Sequence, residues 1–383
     1  MRKPIHLCIL HPNPQRYAAS LSLDALEDEF HFVHTQTNPD YVIATELIYY
    51  NKSLFKQFLN LKTNSAVLIF AADECIASDM NIFDYALTFD DNLNYDDRII
   101  RRLYPFSLSG IFESSTPEDF DTPKEMDAQA VLKSKKHFCN FIYSNSNAHP
   151  ARDELFYQLC KYRTVDSLGA HLNNKRNVVT KNETDWKKLS MELKQDYKFS
   201  VAAENACYKG YFSEKIITSY QATTIPIYWG CPNIAEYFNP DSFVNCHNYR
   251  NLDEVIDTVR QIDENDDLCC KMISAPRRTQ SQILKHQAHL EKYRKFLINL
   301  FSQDKSTAKR TGVGTHPNMY FSRWSRAYRI SFFLNIEILR KGRLFSKKLI
   351  KNPREGLLYA RVNGKTYFKN LIKTFSQKFI AQK

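Results

Sequence analysis

Short apolar runs that alternate with segments of helical spacing limit the fold of this chain more than any other feature. In the first half these runs are IHLCIL (5–10), FHFVHT (30–35), DYVIAT (40–45), SAVLIFA (65–71) and DYALTF (84–89). The segments SLSLDALEDEF (20–30) and NKSLFKQFLNLK (51–62) have helical spacing. Strands that alternate with helices predict a parallel sheet with helical crossovers.

A second set of the same kind begins near residue 137. The predicted strands are HFCNFIYSN (137–145), YKFSVAAEN (197–205), TIPIYWG (224–230) and SFVNC (242–246). The predicted helices cover 152–162, 213–221, 251–262 and 280–301. We therefore expect an α/β protein with two Rossmann-like domains, residues 1–125 and 126–302, facing each other across a cleft. In such folds ligands bind beyond the carboxyl ends of the strands.

Composition excludes several classes of protein. The chain has only 9 Gly and contains neither a G-x-G-x-x-G nor a G-x-x-x-x-G-K-[ST] motif, so a Walker-type ATPase is not expected. The nine Cys form no C-x-x-C pair, which favours a reducing compartment and argues against a zinc ribbon. The apolar run at 5–10 contains a His and is too short for the core of a signal peptide, so we interpret it as a strand.

Positive charge is concentrated at the C-terminal end of the chain. The net charge is +11, and residues 323–383 hold sixteen Lys and Arg but only Glu337 and Glu355 as acidic residues. The rest of the chain is slightly acidic. Such asymmetry predicts a polyanion as the partner of this tail, either a membrane surface or a nucleic acid.

The pattern within the tail favours a membrane. Residues 303–319 have the polar, Gly- and Pro-containing composition of a linker, so we assign 303–383 to a linker and a tail. The positions Lys365, Lys369 and Lys373 share one helical face. Apolar residues share another: Tyr367, Phe368, Leu371, Ile372, Phe375 and Phe379. We predict a basic amphipathic helix on an anionic membrane surface and no nucleic acid as partner.

Two cations at predicted helix starts indicate the chemistry of the second domain. Ser213 directly precedes a helical run and is a good N-cap residue, which places Glu214 and Lys215 in the first turn. Backbone N–H groups and the helix dipole favour an anion there, and Lys215 adds a full charge. Arg152 begins another helix after an Asn- and Ser-rich turn. The pair suits a diphosphate, which Arg grips bidentately and Lys as a point charge.

The segment that carries these residues resembles a known family. YKFSVAAEN, followed by GYFSEKIITSYQATTIPIYWGCPNIAEYFNPDSFVNCHNY, is similar to the donor-binding signature of family 10 glycosyltransferases, the bacterial α-1,3/4-fucosyltransferases. The block CNFIYSNSNAHPARDELFYQLCKYRTVDSLGAHLNN resembles the preceding part of that family, and FDYALTFDDNLNYDDR its acceptor side. The resemblance is continuous over about 137–275 and patchy over 60–105.

This resemblance implies a GT-B fold, GDP-β-L-fucose as donor, inversion at the anomeric carbon and no obligatory metal or other cofactor. By position, Arg152 and Lys215 would hold the diphosphate, and Glu214 would stabilise the oxocarbenium-like transition state. By the same reasoning, Asn205 and Tyr211 would line the donor pocket, and Glu204 would orient that loop from behind.

An inverting displacement also needs a general base on the face opposite the leaving group. The resemblance implies an acidic residue in FDDNLNYDDR, and the best match is Asp91, with Asp90 as the alternative. The alternative interpretation of the same residues is a solvated acidic loop without a catalytic role. Ala203 and Leu168 stand where the family has an aromatic residue and a Gly, so a different GDP-sugar is an alternative donor.

Together these features predict an inverting fucosyltransferase. It would transfer L-fucose to a GlcNAc-containing glycan or lipid-linked oligosaccharide, in α-1,3 or α-1,4 linkage, during synthesis of lipopolysaccharide or another surface glycan. We expect it in the cytoplasm, bound peripherally to the inner face of the cell membrane through residues 323–383. A basic nucleic-acid-binding protein is the alternative from another functional class.

Overall fold

The computed structural model describes residues 2–62, 66–90, 92–93, 97–102, 106–107, 110–111, 120–121, 126–175 and 186–334. These residues belong to two compact units. The first comprises residues 1–47 and 60–311, and the second comprises residues 48–59 and the chain from 312 onwards. The predicted site residues and both large sheets belong to the first unit.

The first sheet has six parallel strands in the order β2-β1-β3-β4-β5-β6. The strands are β1 (Lys3–Leu10), β2 (Phe30–His34), β3 (Tyr41–Thr45), β4 (Val67–Ala71), β5 (Tyr85–Thr88) and β6 (Ile99–Arg101). Every residue of β3, β4 and β5 is buried, as expected for central strands covered on both faces. The apolar runs of the first half therefore form strands as predicted.

A two-stranded antiparallel ladder of β7 (Phe106–Ser107) and β8 (Gly110–Ile111) precedes the second sheet. That sheet is parallel, in the order β10-β9-β11-β12-β13. Its strands are β9 (His137–Phe141), β10 (Val165–Ser167), β11 (Tyr197–Ala203), β12 (Ile225–Trp229) and β13 (Val244–Asn245). The predicted α/β architecture with two parallel sheets is confirmed.

The described α-helices connect and cover these strands. They are α1 (Pro14–Ser20), α2 (Lys52–Lys62), α3 (Ala128–Ser134), α4 (Ala151–Tyr162), α5 (Trp186–Lys194), α6 (Glu214–Gln221), α7 (Leu252–Asp263), α8 (Asp266–Ser274), α9 (Gln280–Ser302), α10 (Lys305–Ala308) and α11 (Thr315–Leu334). Five of the predicted helices, at 51–62, 152–162, 213–221, 251–262 and 280–301, are present within one or two residues of their expected bounds.

The first helix lies earlier than predicted. α1 begins at Pro14 after Asn13, whose side chain accepts a hydrogen bond from the N–H of Arg16. Pro at the first helical position and Asn at the N-cap favour this start. The expected helix SLSLDALEDEF contains instead a turn, with Ser22 at φ 61°, and a short 3₁₀ segment. Its leucines are buried without regular helical structure.

The end of α9 packs on the first sheet rather than on the second. Tyr293, Leu297 and Phe301 join the buried cluster that contains Ile5 and Leu7 of β1. Thr279 and Gln282 form a capping box that fixes the start of the helix. The chain thus returns to the first sheet before its C-terminal part. The domain bounds 1–125, 126–302 and 303–383 stay a prediction.

Part of the predicted linker is bound to the first sheet. The carboxylate of Asp84, which is 0% exposed, accepts hydrogen bonds from the backbone N–H of Arg310 at 2.8 Å and of Thr311 at 2.6 Å. The Lys309 ammonium lies 2.9 Å from the same carboxylate. A buried carboxylate needs such partners, so these contacts fix residues 309–311.

The second unit is held together by aromatic side chains. Within it, the Tyr328 ring of α11 stacks on Tyr49 at 5.0 Å, and the Trp324 ring lies 5.6 Å from Phe55. Over the part of the chain that the structure describes, no helix combines the length and apolarity needed to cross a bilayer. The predicted amphipathic segment around 365–379 lies outside the described residues.

Candidate active site

A buried carboxylate organises the loop after β11. Glu204 is 0% exposed, and its Oε1 accepts a hydrogen bond from the backbone N–H of Ser213 at 2.8 Å. Its Oε2 accepts from the Ser213 hydroxyl at 2.7 Å and from the Lys215 ammonium at 3.0 Å. Burial raises the pKa of Glu204, while Lys215 and Ser213 oppose that rise. Glu204 therefore joins the end of β11 to the start of α6.

Ser213 occupies the N-cap position of α6 as predicted, but its side chain does not cap the helix. Its hydroxyl is bound to Glu204 and also accepts from the Lys215 ammonium at 2.9 Å. Hydrogen bonds to charged groups are stronger than those to neutral backbone N–H groups. The hydroxyl therefore binds the carboxylate and the ammonium and forms no capping bond. The first turn of α6 is fixed by this three-residue network.

Gly230 permits the close approach of Glu204 to β12. A Cβ atom on Gly230 would lie 2.5 Å from Cγ and 2.6 Å from Cβ of Glu204. The residue also has a φ of +150°, which side chains disfavour. The Glu204 N–H donates to the carbonyl of Trp229 at 2.8 Å, directly before this glycine. Glycine is therefore required here for the buried carboxylate to fit.

Lys215 is the partly accessible cation of this loop. Its side chain is 19% exposed, lies 3.0 Å from Glu204, and is 3.9 Å from the carboxylate of Glu214. Burial acts to lower the pKa of Lys215, but Glu204 and Glu214 outweigh it and raise that pKa above its usual value. The side chain therefore remains an ammonium at any physiological pH. Glu214 is 17% exposed beside it.

Arg152 is the enclosed cation of the same loop. The residue is 1% exposed, and its Nη1 donates to Asn205 Oδ1 at 3.2 Å. Its Nη2 donates to the carbonyl of Asn145 at 2.5 Å, and the guanidinium lies 4.5 Å from the centre of the Tyr143 ring. The two predicted cations thus contact consecutive residues, Glu204 and Asn205. The structure brings them to one loop, although Arg152 is covered by its hydrogen-bond partners.

Sequence reasoning missed one carboxylate of this site. Glu74 is exposed and follows β4 of the first sheet. Its Oε2 accepts from the Tyr211 hydroxyl at 2.9 Å and from the Asn205 amide at 3.5 Å. Burial, with Glu204 and Glu74, raises the pKa of Tyr211, so its hydroxyl stays protonated and donates. The available signal was the position of Glu74 just after a wholly apolar strand, where ligand-binding residues gather.

Asp90, the alternative base of the sequence analysis, is less accessible than Glu74. Asp90 is 3% exposed, and its carboxylate accepts from the Tyr208 hydroxyl at 3.0 Å and from the N–H of Asn92 at 2.8 Å. Asp91 lies outside the described residues. Acidic residues that follow β4 and β5 therefore reach the loop that follows β11. Among the residues with described positions, no group of three His, Cys, Asp or Glu side chains is placed to hold a metal ion.

The second half of the described chain is similar to known proteins. Residues 132–296 match the model of the C-terminal part of glycosyltransferase family 10 (fucosyltransferase). The α-(1,3)-fucosyltransferase FucT of Helicobacter pylori is 33% identical over 227 residues, which cover 53% of this chain and 45% of that protein. The chain thus spans less than half of the length of this curated relative.

Solved structures of an α1,3-fucosyltransferase share the fold. One has a TM-score of 0.59 and 24% identity, and the match covers 79% of this chain and 91% of the other. A second, described as a complex with GDP-fucose, has a TM-score of 0.54 and 24% identity, covering 76% and 91%. These matches confirm the predicted GT-B fold class. The family match includes Arg152 and the loop from Glu204 to Lys215. Residues 132–296 are therefore similar to the C-terminal part of glycosyltransferase family 10, described as fucosyltransferase.

Proposed function

We propose that this protein is an inverting fucosyltransferase that moves L-fucose from GDP-β-L-fucose to a hydroxyl of a GlcNAc-containing glycan. The observation that supports this proposal most strongly is the cationic loop after β11, where Glu204 holds Lys215 in the first turn of α6. A helix N-terminus with a fixed ammonium suits a diphosphate. The names of the relative from H. pylori and of the GDP-fucose complex agree with this choice of donor.

The two cations have different roles in this proposal. Lys215 is accessible and would contact the diphosphate directly, stabilising the charge that develops on GDP as the glycosidic bond breaks. Arg152 is enclosed, so its charge acts from beneath the surface while its hydrogen bond orients Asn205. Because both groups are fixed before the donor arrives, little reorganisation is needed during the reaction.

Glu214 would act on the sugar rather than on the phosphates. Its carboxylate lies 3.9 Å from Lys215 and is 17% exposed at the start of α6. A carboxylate at this distance from the diphosphate site can stabilise the positive charge that develops on the fucose ring. This role follows from the resemblance to the family and from the position of the residue beside Lys215.

We assign the general base to Glu74, with Asp91 as the alternative that the resemblance predicts. The base must reach the acceptor hydroxyl from the side opposite the leaving group. Glu74 comes from the first sheet, whereas Lys215 and Arg152 come from the second sheet. Glu74 is also exposed and oriented by Tyr211, while Asp90 is 3% exposed and already bound to Tyr208.

The acceptor and the location rest on the tail. Residues 323–383 are strongly basic, and α11 exposes Met319 by 46%, Tyr320 by 43% and Ile330 by 50% beside its arginines. An apolar and cationic surface of this kind suits the headgroup region of an anionic membrane. We therefore propose peripheral attachment to the inner face of the cell membrane and a lipid-linked precursor of lipopolysaccharide or another surface glycan as acceptor.

The proposed function is tested by incubating the purified full chain with GDP-fucose or GDP-mannose and an array of N-acetyllactosamine-type acceptors, read by mass spectrometry. We expect the mass of one deoxyhexose to be added only with GDP-fucose, with and without EDTA. Transfer from GDP-mannose would support the alternative donor. Absence of transfer from every GDP-sugar, together with binding of oligonucleotides, would reject the enzyme in favour of a nucleic-acid-binding protein.

A further inference from the structure

A third cation lies at the end of α5, behind the loop that joins β11 to α6, which we call the donor loop. Lys194 is 5% exposed, and its ammonium donates to the Thr218 hydroxyl of α6 at 2.8 Å and lies 3.5 Å from the Ser219 hydroxyl. A lysine is rarely enclosed without an anionic partner, because burial of a charge is costly. Neither the family resemblance nor the charge pattern of the sequence assigns a role to it.

The contacts of Lys194 connect it to the first turn of α6. Thr218 and Ser219 follow Glu214 and Lys215 by four residues, so they lie one turn further along the same helical faces. The Ser219 hydroxyl donates to the carbonyl of Lys215 at 2.8 Å, and Thr218 donates to the same carbonyl at 3.2 Å. A change at Lys194 therefore reaches the diphosphate site through one turn of helix, about 5 Å along its axis.

The electrostatic surroundings leave Lys194 poised between two protonation states. Burial lowers its pKa from 10.5 to about 7; the carboxylate of Glu214 opposes this effect, and the ammonium of Lys215 adds to it. The polar contacts continue from Ser219 to Ser200 and Asn140 of the second sheet, which are neutral. A diphosphate bound at the start of α6 brings negative charge close to this group and favours its protonated form.

We propose that Lys194 is a positioning residue of the donor site, which holds the first turn of α6 and takes up a proton from solvent when the diphosphate binds. The inference rests on the proposed use of GDP-fucose. By linkage, the protonated enzyme binds the diphosphate more tightly than the neutral one. One charge at about 8–10 Å in a protein of effective dielectric constant about 20 corresponds to roughly a 15- to 30-fold change in affinity for each charge of the ligand.

Calorimetric titration with GDP-fucose measures this proton directly. Both phosphates of GDP-fucose are esterified, so the ligand itself does not titrate near neutral pH. Titrations at about pH 8 in two buffers of different ionisation enthalpy should show uptake of roughly half a proton by the wild type. The uptake should fall towards zero at about pH 5.5, where Lys194 is already protonated.

Two variants and one control separate charge from structure. In Lys194→Arg, which stays charged, we expect no such uptake and an affinity that no longer weakens between acidic and alkaline pH. In Lys194→Met we expect no uptake and roughly 15- to 30-fold weaker binding at acidic pH. Lys135 is a matched control, because its pKa is also lowered by burial, to about 8, and it binds the carbonyls of Gln195 and Ala222 instead. Lys135→Met should leave the uptake unchanged.

The outcomes distinguish this inference from the proposed function. Equal proton uptake by the wild type and by Lys194→Met, or equal loss in Lys135→Met, would overturn the role of Lys194. The wild type alone can also overturn this role. Proton uptake that is larger at about pH 5.5 than at about pH 8 would assign the proton to a histidine or a carboxylate. Failure of the wild type to bind GDP-fucose at any pH would instead reject the donor, and the inference with it.

Discussion

Replacing Lys215 by Met should separate the structural and the functional roles of the cation in the donor loop. The Lys215 ammonium lies 3.0 Å from a Glu204 carboxylate that is 0% exposed. Removing the ammonium leaves that carboxylate with the two donors of Ser213 and no ion-pair partner. Breaking a buried ion pair on one side costs about 3–5 kcal/mol, so we expect the free energy of unfolding to fall by roughly that amount at alkaline pH.

The loss should depend on pH with a definite sign. Burial already raises the pKa of Glu204, and without the opposing effect of Lys215 it rises further. Between the ordinary glutamate pKa and this raised value the folded variant binds more protons than the unfolded chain. Its stability is therefore greatest at the acidic end of that window and falls as pH rises through the folded-state pKa. The destabilisation of Lys215→Met should accordingly be smaller at about pH 5.5 than at about pH 8.

Urea unfolding followed by circular dichroism tests both statements. The double variant Lys215→Met/Glu204→Gln, which removes both charges, should recover about 2 kcal/mol or more relative to Lys215→Met at about pH 8. It should nevertheless fail to bind GDP-fucose, because the cation is absent. Lys136→Met is a matched control, since Lys136 pairs with Asp196 on the surface and its loss should cost less than about 1 kcal/mol. Additive losses in the double variant would refute the coupling.

Three further predictions concern the base, the loop and the tail. Glu74→Gln should keep the affinity for GDP-fucose and lower kcat by about 10²–10⁴. A normal kcat for Glu74→Gln, together with loss of turnover in Asp91→Asn, would identify Asp91 as the base. Gly230→Ala should lower the free energy of unfolding by about 2–4 kcal/mol in urea titrations, because its Cβ would overlap Glu204. Gly312→Ala should be nearly neutral, because its Cβ would come no closer than 3.3 Å to another atom, Cγ of Pro317. Removal of residues 323–383 should move the enzyme from the membrane fraction to the soluble fraction with transfer to a soluble acceptor retained; persistence in the membrane fraction would contradict the proposed attachment.

The sequence predicted the elements that carry strong local patterns. The apolar runs became the strands of two parallel sheets, because a strand covered on both faces is apolar at every position. The Ser213 to Lys215 segment was expected to begin a helix, and α6 begins there. Arg152 and Lys215 were expected at two helix starts of the second domain, and the structure places both beside the loop that follows β11.

The remaining features depend on contacts between distant residues. Glu74 reaches Tyr211 across 137 positions of the chain, and no local pattern encodes such a contact. Lysine is usually a surface residue, and only the packing of α5 on α6 encloses Lys194. The misplaced first helix has a local cause, because the turn at Ser22 and the start at Pro14 outweighed the helical spacing of residues 20–30.

A crystal structure of the protein with GDP-fucose would test the central claim most directly. The account predicts the diphosphate at the start of α6, with a phosphate oxygen about 3 Å from the Lys215 ammonium. It also predicts the fucose ring between Glu214 and the side of the site that holds Glu74. A nucleotide bound elsewhere, with Lys215 still paired only with Glu204, would contradict it.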